Sequence, residues 1–96
     1  MEVFKVILKK DNWIENPNPK WKDQYPYFQE IKVDGMTDDN YFVDIDIESM
    51  SLTKEDSKKY FGPSWTWNRI ITAKDAILCL FYQKFPFDIH ITLCKM

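Results

Sequence analysis

Ninety-six residues, 45% hydrophobic and 17% aromatic, suffice for one core and leave no room for a second domain, so residues 1–96 read as a single unit. A net charge of -2 and a pI near 5.3 argue against a general binder of nucleic acid or anionic membrane, since both partners call for a basic surface. No apolar run approaches the roughly 18 residues of a membrane helix, and the charged start Met1-Glu2-Val3-Phe4-Lys5 is not a signal peptide. Cys79 and Cys94 have no CxxC spacing and only His90 to assist them, which predicts two free thiols in a reducing, cytoplasmic setting rather than a zinc site.

Glu2–Lys9 alternates imperfectly, with Phe4, Val6 and Leu8 on one face, and reads as a first strand. Lys10–Pro26 breaks every periodicity with Pro17, Pro19, Pro26 and three Asn. A connection of that length is either functional or disordered, and Trp13, Trp21 and Tyr25 argue against disorder. Its tryptophans either tuck back over the core edge or anchor a partner. Tyr27–Asp34 is a second strand with Ile31 and Val33 inward. Gly35–Asn40 is a polar connection long enough for a loose hairpin. Tyr41–Glu48 follows as a strand antiparallel to the second, with Tyr41, Val43, Ile45 and Ile47 on one face and Phe42, Asp44, Asp46 and Glu48 on the other.

Ser51–Gly62 reads as a short helix capped by Thr53 and stopped at Gly62-Pro63. Ser64–Ile71 is a strand or an extended connection. Thr72–Phe85 reads as the main helix, from a Thr72 cap and the spacing of Ala76, Ile77, Leu80 and Phe81, ended by Pro86. Phe87–Cys94 alternates as a final strand. The expected fold is α+β: a mainly antiparallel sheet of four to five strands, one main helix on one face and a short second helix.

The charge is segregated along the chain. Residues 30–56 carry nine acids against Lys32 and Lys54, whereas residues 57–96 carry six basic groups against Asp75 and Asp88. On a strand, Asp44, Asp46 and Glu48 would stand roughly 6 to 7 Å apart and project in parallel, which disfavours a metal cage. Asp88 with His90 has the chemistry of an acid/base pair for a small hydrolase, but alternation places both on an open face rather than in a pocket. Only two glycines are present, too few for a nucleotide-cradling loop, and no cofactor is expected. What remains is electrostatic. Asp44, Asp46 and Glu48, joined by Glu30, Asp34, Asp38 and Asp39, with Trp13 or Trp21 as anchors, form a face suited to a basic protein partner; the alternative is a solvated face paired with Lys5, Lys9 and Lys32.

Ser64-Trp65-Thr66, followed at the end by Ile91-Thr92-Leu93-Cys94-Lys95-Met96, resembles the tail of small immunity proteins that neutralise RNA-cleaving colicins. Size, acidity and tryptophan content are similar to those of bacterial toxin-immunity proteins generally, including those of contact-dependent inhibition. The resemblance implies a non-enzymatic inhibitor that occludes a toxin's active site, without direct contact to nucleic acid or membrane. It carries over no binding residue. A phage-encoded inhibitor that mimics nucleic-acid phosphates would use the same surface.

Overall fold

The computed structural model describes residues 2–96 and places seven strands in two antiparallel sheets. The first sheet has the order β1 (Val3–Leu8), β7 (Ile89–Lys95), β4 (Tyr41–Ile45). The second has the order β2 (Ile14–Glu15), β3 (Tyr27–Lys32), β6 (Ala76–Phe81), β5 (Arg69–Ala73). Their inner faces share one core: Val6, Leu8, Ile89, Ile91 and Leu93 from the first sheet meet Ile77, Cys79 and Phe81 from the second. Gln29 clamps the two sheets together, its side chain donating to the carbonyl of Lys9 at 3.1 Å and accepting from the Lys9 N–H at 3.2 Å. Both polar ends of this buried amide are thereby satisfied.

The fold is α+β as expected, but the main helix expected over 72–85 is a hairpin. β5 and β6 pair through Thr72↔Ile77 and Ala73↔Ala76 around the two-residue turn Lys74-Asp75. Asp75 adopts φ +57°, a left-handed conformation that Asp tolerates, and its carboxylate accepts from the Gly35 N–H at 2.9 Å. The run Ala76–Phe81 is apolar on both faces, and a strand covered on both sides carries no alternation to distinguish it from a buried helix. A second sheet, not a helix, therefore closes the core, and seven strands replace the four to five expected.

The expected strand over 41–48 is likewise shorter and differently paired. β4 ends at Ile45, the chain turns at Asp46, and α1 (Ile47–Met50) follows. Its neighbour is β7, through Val43↔Leu93 and Asp44↔Thr92, rather than β3, so residues 33–40 cross between the sheets instead of closing a hairpin.

Elsewhere local chemistry acts as its composition indicates. α2 (Lys54–Phe61) is capped by Thr53, whose hydroxyl accepts from the Asp56 N–H at 3.1 Å. At Gly62 a Cβ would run into the Lys58 carbonyl, which explains the glycine at the helix end. Pro63–Trp67 is a 3-10 helix leading into β5, so 64–71 is partly helical and partly strand. Tyr60, Phe61 and Trp65 from this region close one end of the core on Phe81, Phe85 and Phe87, with ring centroids 4.9–6.1 Å apart. Among the described helices none is long and apolar enough to cross a membrane.

Candidate functional site

The pairing register fixes what each row of the first sheet's outer face presents. One row is Val3–Cys94–Phe42, the next Lys5–Thr92–Asp44, and the third Ile7–His90, with Asp46 donating its N–H to the His90 carbonyl at 2.9 Å. Val3, Ile7 and Phe42 are large apolar side chains left in solvent, and Phe42 is 59% exposed. Beside them the end of β4 and α1 frame a cleft of about 500 Å³ lined by Lys5, Asp44, Asp46, Glu48 and Ser49 together with Ile45 and Ile47. Three carboxylates against one ammonium make this cleft formally negative.

The three carboxylates differ in their freedom. Asp46 is part of the turn: its Oδ2 accepts from the Thr92 hydroxyl at 2.8 Å, and its carbonyl accepts from the Ser49 hydroxyl at 2.9 Å. Glu48 has left the strand for the first turn of α1, where its charge opposes the exposed N–H groups. Asp44 remains on β4 and is exposed. Among the described residues no ion pair reaches Asp44, Asp46 or Glu48, and Lys9 pairs instead with Asp88. The regular row expected on a single strand is thus broken at Asp46, and its three acids line one cleft from β4, the turn and α1. No group of three His, Cys, Asp or Glu among the described residues is placed to hold a metal ion.

The remaining acids of the expected surface lie elsewhere, because β3 and β4 belong to different sheets. Glu30 faces outward from the second sheet opposite Leu78, and Asp34 stands exposed after the end of β3. Asp38 and Asp39 sit on the crossing segment. Asp39 accepts from Thr37 at 2.8 Å and pairs with Lys95 at 3.2 Å; the Thr37 hydroxyl first, and then Lys95, holds its carboxyl below the usual range.

The tryptophans separate as well. Trp13 is a core residue, 6% exposed and tilted against Phe81 with ring centroids 4.5 Å apart, so it is not a surface anchor. Trp21 is half-buried, stacked on Tyr25 at 5.9 Å with the Arg69 guanidinium 5.8 Å from its ring. Their loop is ordered by Asn16, whose amide donates to the Tyr25 carbonyl at 2.8 Å and whose side-chain oxygen accepts from the Asn18 N–H at 3.0 Å.

Asp88 and His90 are not joined by a hydrogen bond. Asp88 accepts from the Lys10 N–H at 2.8 Å and lies 3.5 Å from the Lys9 ammonium; the Lys10 N–H is the main cause of its lowered pKa. His90 Nδ1 is 3.2 Å from the Ser49 hydroxyl, which has given its one hydrogen to the Asp46 carbonyl. Ser49 therefore accepts from Nδ1–H, the reverse of the bond that activates a nucleophile. Phe42 and Ser49 are the site residues that sequence alone did not single out, while Lys5, expected as a pairing partner of the carboxylates, lines the cleft without an ion pair among the described residues. For Phe42 the signal was present, since alternation puts it on the same face as Asp44.

Comparison with protein-family models, with curated proteins and with solved structures returned no match.

Proposed function

We propose that this chain is a non-enzymatic binding protein, an immunity-type inhibitor that seats a basic nuclease-type toxin on the outer face of its first sheet. One observation carries the reading: Asp44 and Glu48, without ion-pair partners, rim a cleft of about 500 Å³ next to a Phe42 that is 59% exposed. An apolar anchor beside unpaired carboxylates favours a basic partner, because complementary charge speeds encounter and an aromatic buried on binding slows release. Asp44, Glu48 and Phe42 make the contact, and Asp46 holds the turn that shapes it. Glu30, Asp34, Asp38 and Asp39 fall outside the contact, as do Trp13 and Trp21. A phosphate-mimicking inhibitor of phage origin would use the same carboxylates, and the partner's identity separates the two.

The test is kinetic. With the partner recovered by pull-down from the source cell, association with the wild-type chain slows steeply as salt rises. The Asp44→Lys, Glu48→Lys double variant loses that dependence and about tenfold or more in association rate. Unchanged rates and salt slope in the double variant would reject this face.

A further inference from the structure

The outer face of the first sheet is polarised across its strands. β1 and β4 flank β7, and the middle row runs from the cation Lys5 on β1, through Thr92, to the anion Asp44 on β4. Both charged ends are exposed, and among the described residues neither has an ion-pair partner. The adjoining row is apolar at its ends, with Val3 50% and Phe42 59% exposed and Cys94 between them.

Sheets stacked face to face keep their strands within about 30° of alignment, which leaves two ways to relate two copies by a two-fold axis. With the axis across the strands, β1 lies over β1 and β4 over β4, so the acids of both copies gather on one side and repel. With the axis along β7, β1 of each copy lies over β4 of the other. Lys5 then comes opposite Asp44 and Val3 opposite Phe42, each contact made twice, while Cys94 and Thr92 face their own counterparts on the axis. The cleft of about 500 Å³ beside Asp44, lined also by Asp46 and Glu48, has room for the incoming lysine.

We propose that this face pairs with a second copy of the chain about a two-fold axis along β7, with Lys5 of each copy against Asp44 of the other and Val3 against Phe42. The occupant is chosen by charge: the face carries its own complement, in the register that an isologous contact requires. A net charge of -2 offers little repulsion to self-association. The contact is small, since three strands about 4.8 Å apart and about 20 Å long present roughly 300 Å², against about 800 Å² per partner in a stable complex. The dimer is therefore weak and reversible, and a tighter basic partner displaces it. It stands apart from toxin binding, which needs the acids but not Lys5.

The test is sedimentation equilibrium of the full chain from about 10 μM to about 1 mM, over which the wild-type mass rises from monomer toward dimer. Lys5→Glu and Asp44→Lys each weaken self-association by about tenfold or more, because like charges then meet twice. An equimolar mixture of the two variants recovers the wild-type association, because in the mixed dimer every facing pair is again opposite in charge. Both positions are exposed, so the variants keep the wild-type circular dichroism. In the wild-type chain, labelling of Cys94 by a thiol reagent slows as concentration passes through the same midpoint. A chain that stays monomeric at about 1 mM, a dimer indifferent to both reversals, a mixture no more associated than its components, or Cys94 labelling independent of concentration would each overturn the pairing. Lys5→Glu leaves Asp44 and Glu48 in place, so salt-dependent capture of a basic partner persists in that variant, and loss of the dimer is read separately from loss of the toxin.

Discussion

The two sheets are built alike, yet the chain treats their outer faces differently. On the second sheet the row Ile14–Phe28–Leu80–Arg69 is exposed at its two ends but closed in its middle, where Leu80, though it points away from the core, is only 7% exposed. The 16–25 loop reaches that row at its end, where the Trp21–Tyr25 stack meets Arg69. On the first sheet the row Val3–Cys94–Phe42 has apolar side chains in solvent at both ends and only a half-buried Cys94 between them. A chain that closes the middle of one outer row and leaves a bare phenylalanine beside unpaired carboxylates on the other has divided stability from recognition. The long proline-containing segment serves the first, and the short β4–α1 junction serves the second.

Removing the ring that ties the long segment to the core has the largest expected effect. Trp13→Ala leaves a cavity against Phe81 and destabilises the fold by about 3–5 kcal/mol in denaturant titration. Trp21→Ala removes a stack and a cation–π contact on the closed face and costs about 1–2 kcal/mol. Phe42→Ala, on the open face, changes stability by less than about 0.5 kcal/mol while lowering partner affinity. A Phe42 variant as destabilised as the Trp21 variant would erase the distinction between the faces.

The cysteines sharpen it chemically. Cys79 lies in the core, and burial pushes its thiol up to about 12, whereas Cys94 is half-buried on the open face. In the native protein a thiol reagent labels Cys94 and spares Cys79; equal labelling would mean that the core opens readily. Because the folded pKa of Cys79 lies above its unfolded value, its contribution to stability is intact below about pH 9 and is lost as pH rises toward about 12. Cys79→Ala flattens that alkaline loss in a melting series.

The smallest effect concerns the far end of β1. Asp88 has its pKa depressed by the Lys10 N–H, so what it contributes is present above the ordinary carboxylate pKa and lost as pH falls through its lower folded value. Asp88→Asn makes acid unfolding slightly shallower, and because the group is open to solvent the difference is small and shrinks with salt.

Much of the local structure was legible. The alternation of Phe4, Val6 and Leu8 and of Ile89, Ile91 and Leu93 marks strands that bury one face, and Thr53 marks a helix start, because period and capping are properties of a few neighbouring residues. Residues 72–85 were not legible, because a strand covered on both sides loses its period. Of the candidate site, Asp44 was placed correctly on an outward face. Asp46 shares that face, where its carboxylate accepts from Thr92, but Glu48 does not, because the chain leaves the strand at Asp46 for α1 where the period-2 pattern still ran on through Ile47.

By itself, then, the sequence determined an acidic α+β chain with ample apolar material, outward carboxylates near residue 44 and a helix starting at Thr53. Only the tertiary structure decided that β4 joins β7 and β3 joins β6. That choice splits the acids of the middle third between two faces, and it leaves Leu80 covered on one outer face and Phe42 bare on the other. Strand partnership rests on contacts between residues such as Val3 and Cys94, at opposite ends of the chain, and no local pattern encodes them.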